Sequence, residues 1–232
     1  DNGVIDDPIA EIFSWPGTEN PFSQLFNGFD IESSYFLSAQ YYDRNENGRY
    51  DPQDGDYPRP RTALQDYQVI APDELIYSAF FNDTIGALSH GKSVHTDASL
   101  HAFAFNCNGN EFLENAAFLS YRFQYTGDVR LDSTFFGIYS DFDIGDARDD
   151  YLGCTLPSSH SVYAYNANPI YDEIAGLNPP MLGMNLFAGP LDTNGIGLPP
   201  GKVMPMIDSL IPQTGSPTYL NQFYNYITGS WK

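Results

Sequence analysis

The chain is predicted to be all-β, an antiparallel β-sandwich of jelly-roll-like kind with long acidic loops. Three observations lead there. Aromatic residues make up 16% of the 232, with 17 Tyr and 17 Phe, a bias that favours strands over helices. Apolar and polar residues alternate with period two over several short runs, whereas helical periodicity is almost absent. Aspartate outnumbers glutamate 22 to 8 among the 30 acids; Asp favours turns and loops, where Glu favours helix surfaces.

Taken in order, residues 1–34 are turn-rich, with Trp15-Pro16-Gly17 and Asn20-Pro21 as breakers, and read as an irregular lead-in packed on the domain. Residues 35–232 read as a single sandwich domain. A short aromatic strand at 35–42 enters an acidic loop, 43–56, and a Pro- and Arg-rich crossing follows at 57–61. Leu75, Tyr77, Ala79 and Phe81 alternate onto one face of the next strand. Residues 92–106 form a long strand of small and polar residues. Leu119, Tyr121, Phe123 and Tyr125 alternate with Ser120, Arg122 and Gln124, the pattern of a half-buried antiparallel strand with the apolar set inward. Thr126-Gly127-Asp128 is a turn, and strands are expected at 133–140, 161–166 and 181–188. Only 222–227 and 72–75 invite a helical turn. Residues 189–217, rich in Gly and Pro, read as one long loop.

The run from Asp43 to Asp54 carries the most chemistry. Side-chain oxygens fall at positions one, three, five, nine and twelve (Asp43, Asn45, Asn47, Asp51, Asp54), glycine falls at six (Gly48), and Arg49 offers its carbonyl at seven. That is the layout of an EF-hand-type calcium loop, because Ca²⁺ takes six to eight hard oxygens and a tight loop turns alternate residues inward. Asp54 is one carbon shorter than the usual bidentate Glu, and Pro52 opposes a helix running out of the loop. The expectation is a calcium loop without paired helices, on a fold with long calcium-binding loops.

A second acidic cluster spans 141–150, with Asp141, Asp143 and Asp146 as ligand candidates and Asp149 or Asp150 closing the site. Carboxylates this dense repel one another unless a cation or hydrogen bonds compensate. Asp192-Thr193-Asn194-Gly195 echoes the same chemistry and reads as a turn. His90, His95, His101 and His160 lack zinc spacing and read as satisfied surface or interface histidines. Cys107 and Cys154 are the only cysteines, a candidate disulfide whose alternative is two free thiols. No Gly-x-Ser-x-Gly elbow, His-Glu-x-x-His or phosphate-binding Gly-rich loop is present, so no catalytic residue is nominated.

A net charge of −20 argues against nucleic acid and anionic membranes as partners, and no apolar run approaches the ~20 residues that span a bilayer. Both ends read as cuts within something longer.

Several motifs occur in a fixed order: Trp15-Pro16-Gly17; Asp43 through Gly55-Asp56-Tyr57-Pro58; Phe81-Asn82-Asp83; Asp149-Asp150-Tyr151-Leu152-Gly153-Cys154; Tyr165-Asn166; Asn178-Pro179-Pro180; Gly189-Pro190; and Tyr224-Asn225-Tyr226 with Trp231-Lys232. In this the chain resembles large secreted surface proteins of Bacteroidota exported by the type IX secretion system. It departs from them at Thr155, where the group has Asp, and at Leu64-Gln65-Asp66, where the group has Gly-Asp-Gln. The resemblance implies export across the outer membrane to the cell surface or medium, with a sorting domain beyond Lys232. It does not by itself imply an enzymatic activity. Asp83-Thr84-Ile85, Asp132-Ser133-Thr134 and Asp208-Ser209-Leu210 look like the O-glycosylation triplets of such bacteria. The expected function is a calcium-stabilised, non-enzymatic surface region for adhesion or extracellular assembly, with another surface protein, a glycan or further copies as partner. The alternative is a carbohydrate-binding or carbohydrate-cleaving module.

Overall fold

Strand pairing organises the computed structural model, which describes residues 11–32, 38–61, 71–80, 92–144, 149–155, 160–168, 179–198, 203, 217 and 219–228. Among these the strands form three antiparallel sheets, and the helices are few and short. The fold is all-β and sandwich-like, with no closed barrel among the described residues. The chain divides into two compact units, Asp1–Ile85 with Lys92–Val129 and Gly86–Gly91 with Arg130–Lys232. The lead-in therefore belongs with the first strands.

In the first unit, a 3₁₀ turn at Glu11–Ser14 and helix α1 (Ser23–Asn27) precede β1 (Tyr41–Tyr42), which pairs with β2 (Tyr57–Pro58). Then β3 (Glu74–Phe80), β4 (Thr96–Ala104) and β5 (Ala117–Tyr125) make a sheet with β4 central. Between β4 and β5 lies the single turn α2 (Glu111–Glu114), where the Asn110 side chain accepts from Leu113 N–H and Glu114 accepts from Gly109 N–H. These two bonds hold the free N–H groups of the first turn, as a reciprocal cap does.

The core of this unit is aromatic. Trp15, Ala39 and Tyr50 are buried together, with Ile12, Tyr41, Leu75 and Tyr77 packed against them. Burial of each large side chain contributes roughly 2–3 kcal/mol. The lead-in thus covers the sheet face that carries Leu75, Tyr77, Ser99, His101 and Phe103.

This covering reverses the reading of β5. Register pairs Ser120 with His101 and Tyr121 with Leu100, so Phe118, Ser120 and Arg122 share the covered face. Leu119, Tyr121, Phe123 and Tyr125, expected inward, stand on the open face at 59%, 47%, 49% and 38% exposure. Which face is covered depends on the segment laid across it, and alternation alone carries no such information.

In the second unit, β6 (Asp150–Cys154), β7 (Ser161–Asn166) and β8 (Leu182–Asn185) form a sheet with β7 central. Helix α3 (Leu220–Thr228) carries Leu220, Phe223, Tyr224 and Ile227 at helical spacing, and Gln222 Oε1 accepts from Tyr219 N–H at its start. The strand expected at 133–140 is not formed. Ser133 takes φ 57, outside the β region, and residues 134–144 run without ladder partners. Pro72–Leu75 is not helical either, since β3 begins at Glu74. Conversely, β6 occupies the end of the expected acidic loop. No described helix is long and apolar enough to cross a membrane.

Candidate metal centre

The 43–56 loop is wound by its own side chains. Asp43 accepts from the Asn47 and Gly48 N–H groups at 3.2 and 2.7 Å. Asn45 Oδ1 also accepts from Asn47 N–H at 3.2 Å, and Asn47 Oδ1 accepts from Arg49 N–H at 2.7 Å. Asp51 Oδ1 accepts from Gln53 N–H and caps the 3₁₀ turn Pro52–Asp54, with Pro52 at a position that needs no N–H. Gly48 sits at φ 77, in the left-handed region where a side chain is unfavourable, so the sharp bend at position six is real. Asn45 Nδ2 donates to Asp54 Oδ2 at 3.2 Å, which draws positions three and twelve together.

Two residues that spacing alone did not nominate hold this loop in place. Asp56 is 1% exposed and accepts from Arg44 N–H through Oδ1 at 2.9 Å and from Asp51 N–H through Oδ2 at 2.8 Å. One carboxylate therefore ties position two to position nine. Tyr50, fully buried, receives no bond from the loop. Its N–H donates to Thr18 O at 2.7 Å and its hydroxyl to Ile12 O at 2.6 Å. Its ring lies so close over Gly17 that a Cβ there would fall 2.5 Å from Tyr50 Cβ, which explains the glycine of Trp15-Pro16-Gly17. Arg49 adds an ion pair to Glu19 at 3.1 Å, and the Tyr42 and Tyr57 rings stack at 4.9 Å across the neck. A lone aromatic inside a polar run was the legible sign of Tyr50; nothing in the local spacing separated Asp56 from Asp54.

The electrostatics follow from this gathering of acids. Burial, then the charges of Asp43 and Asp56, push the Tyr41 phenol up to about 12. Burial and Asp56 push Tyr50 up as well. The donors available are hard oxygens: carboxylates of Asp43, Asp51 and Asp54, amide oxygens of Asn45 and Asn47, and the Arg49 carbonyl. A carbonyl or carboxylate oxygen that accepts one N–H keeps a second lone pair, so the winding bonds leave these oxygens able to bind a cation. Among the described residues, no three His, Cys, Asp or Glu side chains gather as a metal site by themselves. A cation here needs the amide and backbone oxygens too, and the donor set suits a hard ion such as Ca²⁺ over a thiolate- or imidazole-loving one.

The 141–150 segment is arranged differently. Asp141 and Asp143 are exposed beside buried Ile144, and Asp146 lies outside the described residues. Asp150 Oδ2 accepts from Ile144 N–H at 2.9 Å, and Asp149 Oδ2 accepts from Asn168 Nδ2. The hydrogen bonds of this segment thus go to Asp149 and Asp150, at the start of β6.

Asp192 to Gly195 is a turn, its carboxylate accepting from Asn194 and Ile196 N–H at 2.8 Å each. Those bonds, the one from Ile196 foremost, hold Asp192 below its usual range. Cys107 and Cys154 are unbridged thiols, the first half-buried after β4 and the second exposed in β6. His95 is exposed, but His101 is 3% exposed and its Nε2 has no hydrogen-bond partner, which corrects the reading of a satisfied surface histidine. Central placement in β4 under the lead-in is the reason. No family model matches this chain, and neither does any curated protein or solved structure.

Proposed function

We propose that this chain is a non-enzymatic, calcium-braced β region of an exported cell-surface protein that serves adhesion or extracellular assembly. One observation carries the reading: an oxygen-rich loop, wound as a cation loop is wound, is fastened to the aromatic core through Tyr50 and Asp56. Asp43, Asn45, Asn47, Asp51, Asp54 and the Arg49 carbonyl would hold the ion, which would neutralise carboxylates that otherwise repel. Such an ion bound only by the folded chain stabilises by RT ln(1 + [Ca]/Kd), about 2.7 kcal/mol at a hundredfold excess. The ordered series of motifs shared with type IX cargo supports the extracellular setting.

Thermal melts in excess calcium and after thorough chelation test this directly. Chelation is expected to lower Tm by several degrees, and Asp43→Ala is expected to remove the difference. Superimposable melts with and without calcium would sink the proposal.

A second reading, carbohydrate binding, draws on the open face of β3–β5, where the Tyr121 and Phe123 rings lie 6.1 Å apart and 8° from parallel. Flat aromatic surfaces of this kind stack on apolar faces of sugars. Saturable binding on a glycan array, lost in Tyr121→Ala, would favour it; a silent array would leave the first reading alone.

A further inference from the structure

His101 lies in the central strand β4, on the face covered by the lead-in, with Tyr77 of β3 and Ser120 of β5 as cross-strand neighbours. The Tyr77 ring centre is 5.0 Å from its own and the Trp15 ring centre 6.2 Å, both tilted against the imidazole. Trp15 anchors the lead-in: it is buried, and its indole N–H donates to Gln40 O at 3.0 Å. The imidazole is 3% exposed, and its Nε2 is buried without a hydrogen-bond partner.

A neutral ring can occupy such a site at the cost of one bare lone pair. A proton on Nε2 would create a charged donor with no acceptor in a buried site, which is far more costly. The surrounding charges do not help. Arg61, from the crossing after β2, acts on His101 as a like charge. Arg122, on the covered face of β5, adds a second cation that interacts with Arg61 and Tyr77. Tyr77 is the titratable group facing it from β3, the lead-in brings the uncharged Trp15, and on β4 the next acid on that face is Asp97, four residues away. The two aromatic rings favour a cation weakly, by less than burial opposes it.

We propose that His101 is a proton-operated latch: while neutral it seats Trp15 and holds the lead-in on the β3–β5 sheet, and once protonated it releases that segment and uncovers the face beneath. Burial first, and then Arg61, hold its pKa at about 4, below the ordinary 6.5. The sign follows from linkage. The released segment takes its proton near 6.5 and the seated one near 4, so the latch is fully engaged above 6.5 and weakens as pH falls through that window. Below about 4 both forms carry the proton and nothing further is lost. Across the window the release equilibrium is expected to rise by about 10²-fold. None of the candidate ligand oxygens takes part in the latch, but the lead-in is also bonded to the loop through Tyr50, and the His101 variants separate the two because they leave the loop residues unchanged.

The test uses the whole chain with Trp231→Phe, so that Trp15 is the sole indole. Its emission, and the quenching of that emission by acrylamide, are followed from about pH 6.5 down to about 4 while far-UV circular dichroism reports the sheets. The expected result is a red shift and a rise in quenching that grow over this range with the sheet signal intact. In His101→Phe and His101→Gln the pH-dependent part is expected to be absent. Parallel release in wild type and both variants, or loss of the sheet signal together with the lead-in, would overturn the latch. Should neither variant fold, imidazole ¹⁵N shifts of the otherwise wild-type chain decide. A His101 that stays neutral until Trp15 moves supports the proposal; one that titrates near 6.5 with Trp15 undisturbed overturns it.

Discussion

Asp56 illustrates how much one side chain can carry in this protein. Its two carboxylate oxygens serve two backbone N–H groups on opposite limbs of the loop, at 2.8 and 2.9 Å, from a position 1% exposed. Asp56→Ala is expected to cost about 2–4 kcal/mol, because each N–H left without an acceptor in a partly buried site costs about 1–3 kcal/mol. Asp30→Ala, at an exposed position, is expected to change stability by less than about 0.5 kcal/mol. Urea denaturation of both variants checks the contrast, and equal midpoints would remove Asp56 from its structural role. Tyr50 works the same way from the other side of the loop. Its hydroxyl and amide reach back 38 and 32 residues to Ile12 and Thr18, so the loop and the lead-in order together.

At the scale of elements, the two faces of β3–β5 make a sharp comparison. Phe103 lies on the covered face at 8% exposure and stacks on Phe118 at 5.3 Å, whereas Phe123 lies on the open face at 49%. Phe103→Ala is expected to cost about 3–5 kcal/mol and Phe123→Ala about 1 kcal/mol or less. Equal costs in chemical denaturation would mean that the open face is also packed in solution. The alternation of β5 was plain in the sequence, as were the strand at Ser161–Asn166 and the helical turn within Leu220–Thr228. The direction of β5 was not. Period-two patterning distinguishes two faces without saying which is inward, and the polar face of β5 is the one beneath the lead-in because Ser120 sits opposite His101. The expected strand at 133–140 instead opens on a residue of positive φ, Ser133, a feature that composition does not display.

For the molecule as a whole, charge is the dominant global term. With 30 acids against 10 Lys and Arg, the folded chain repels itself, and the proposed divalent ion in the 43–56 loop would relieve part of that repulsion. Screening and specific coordination separate cleanly. Sodium chloride at matched ionic strength is expected to restore only a small part of the Tm lost on chelation, because a screening ion occupies no fixed set of oxygens. Full restoration by sodium chloride would reduce the loop to an acidic patch. The proposed proton latch at His101 acts on the same lead-in to which Tyr50 fastens the loop, and the His101 variants separate its pH dependence from any effect of calcium.

The order of oxygen donors around Gly48, the all-β character and the turn at Asp192 were set by the sequence itself, because each depends on the backbone preferences of a few adjacent residues. Tertiary structure alone decided that Asp56 would be buried, that His101 would lie under Trp15, and that the aromatic side of β5 would face outward. The first depends on how the two limbs of the loop close on one carboxylate, and the other two on where Trp15, some ninety residues upstream of His101, comes to rest. Contacts at that separation are won by competition among all the surfaces the chain can bury, which no local pattern records.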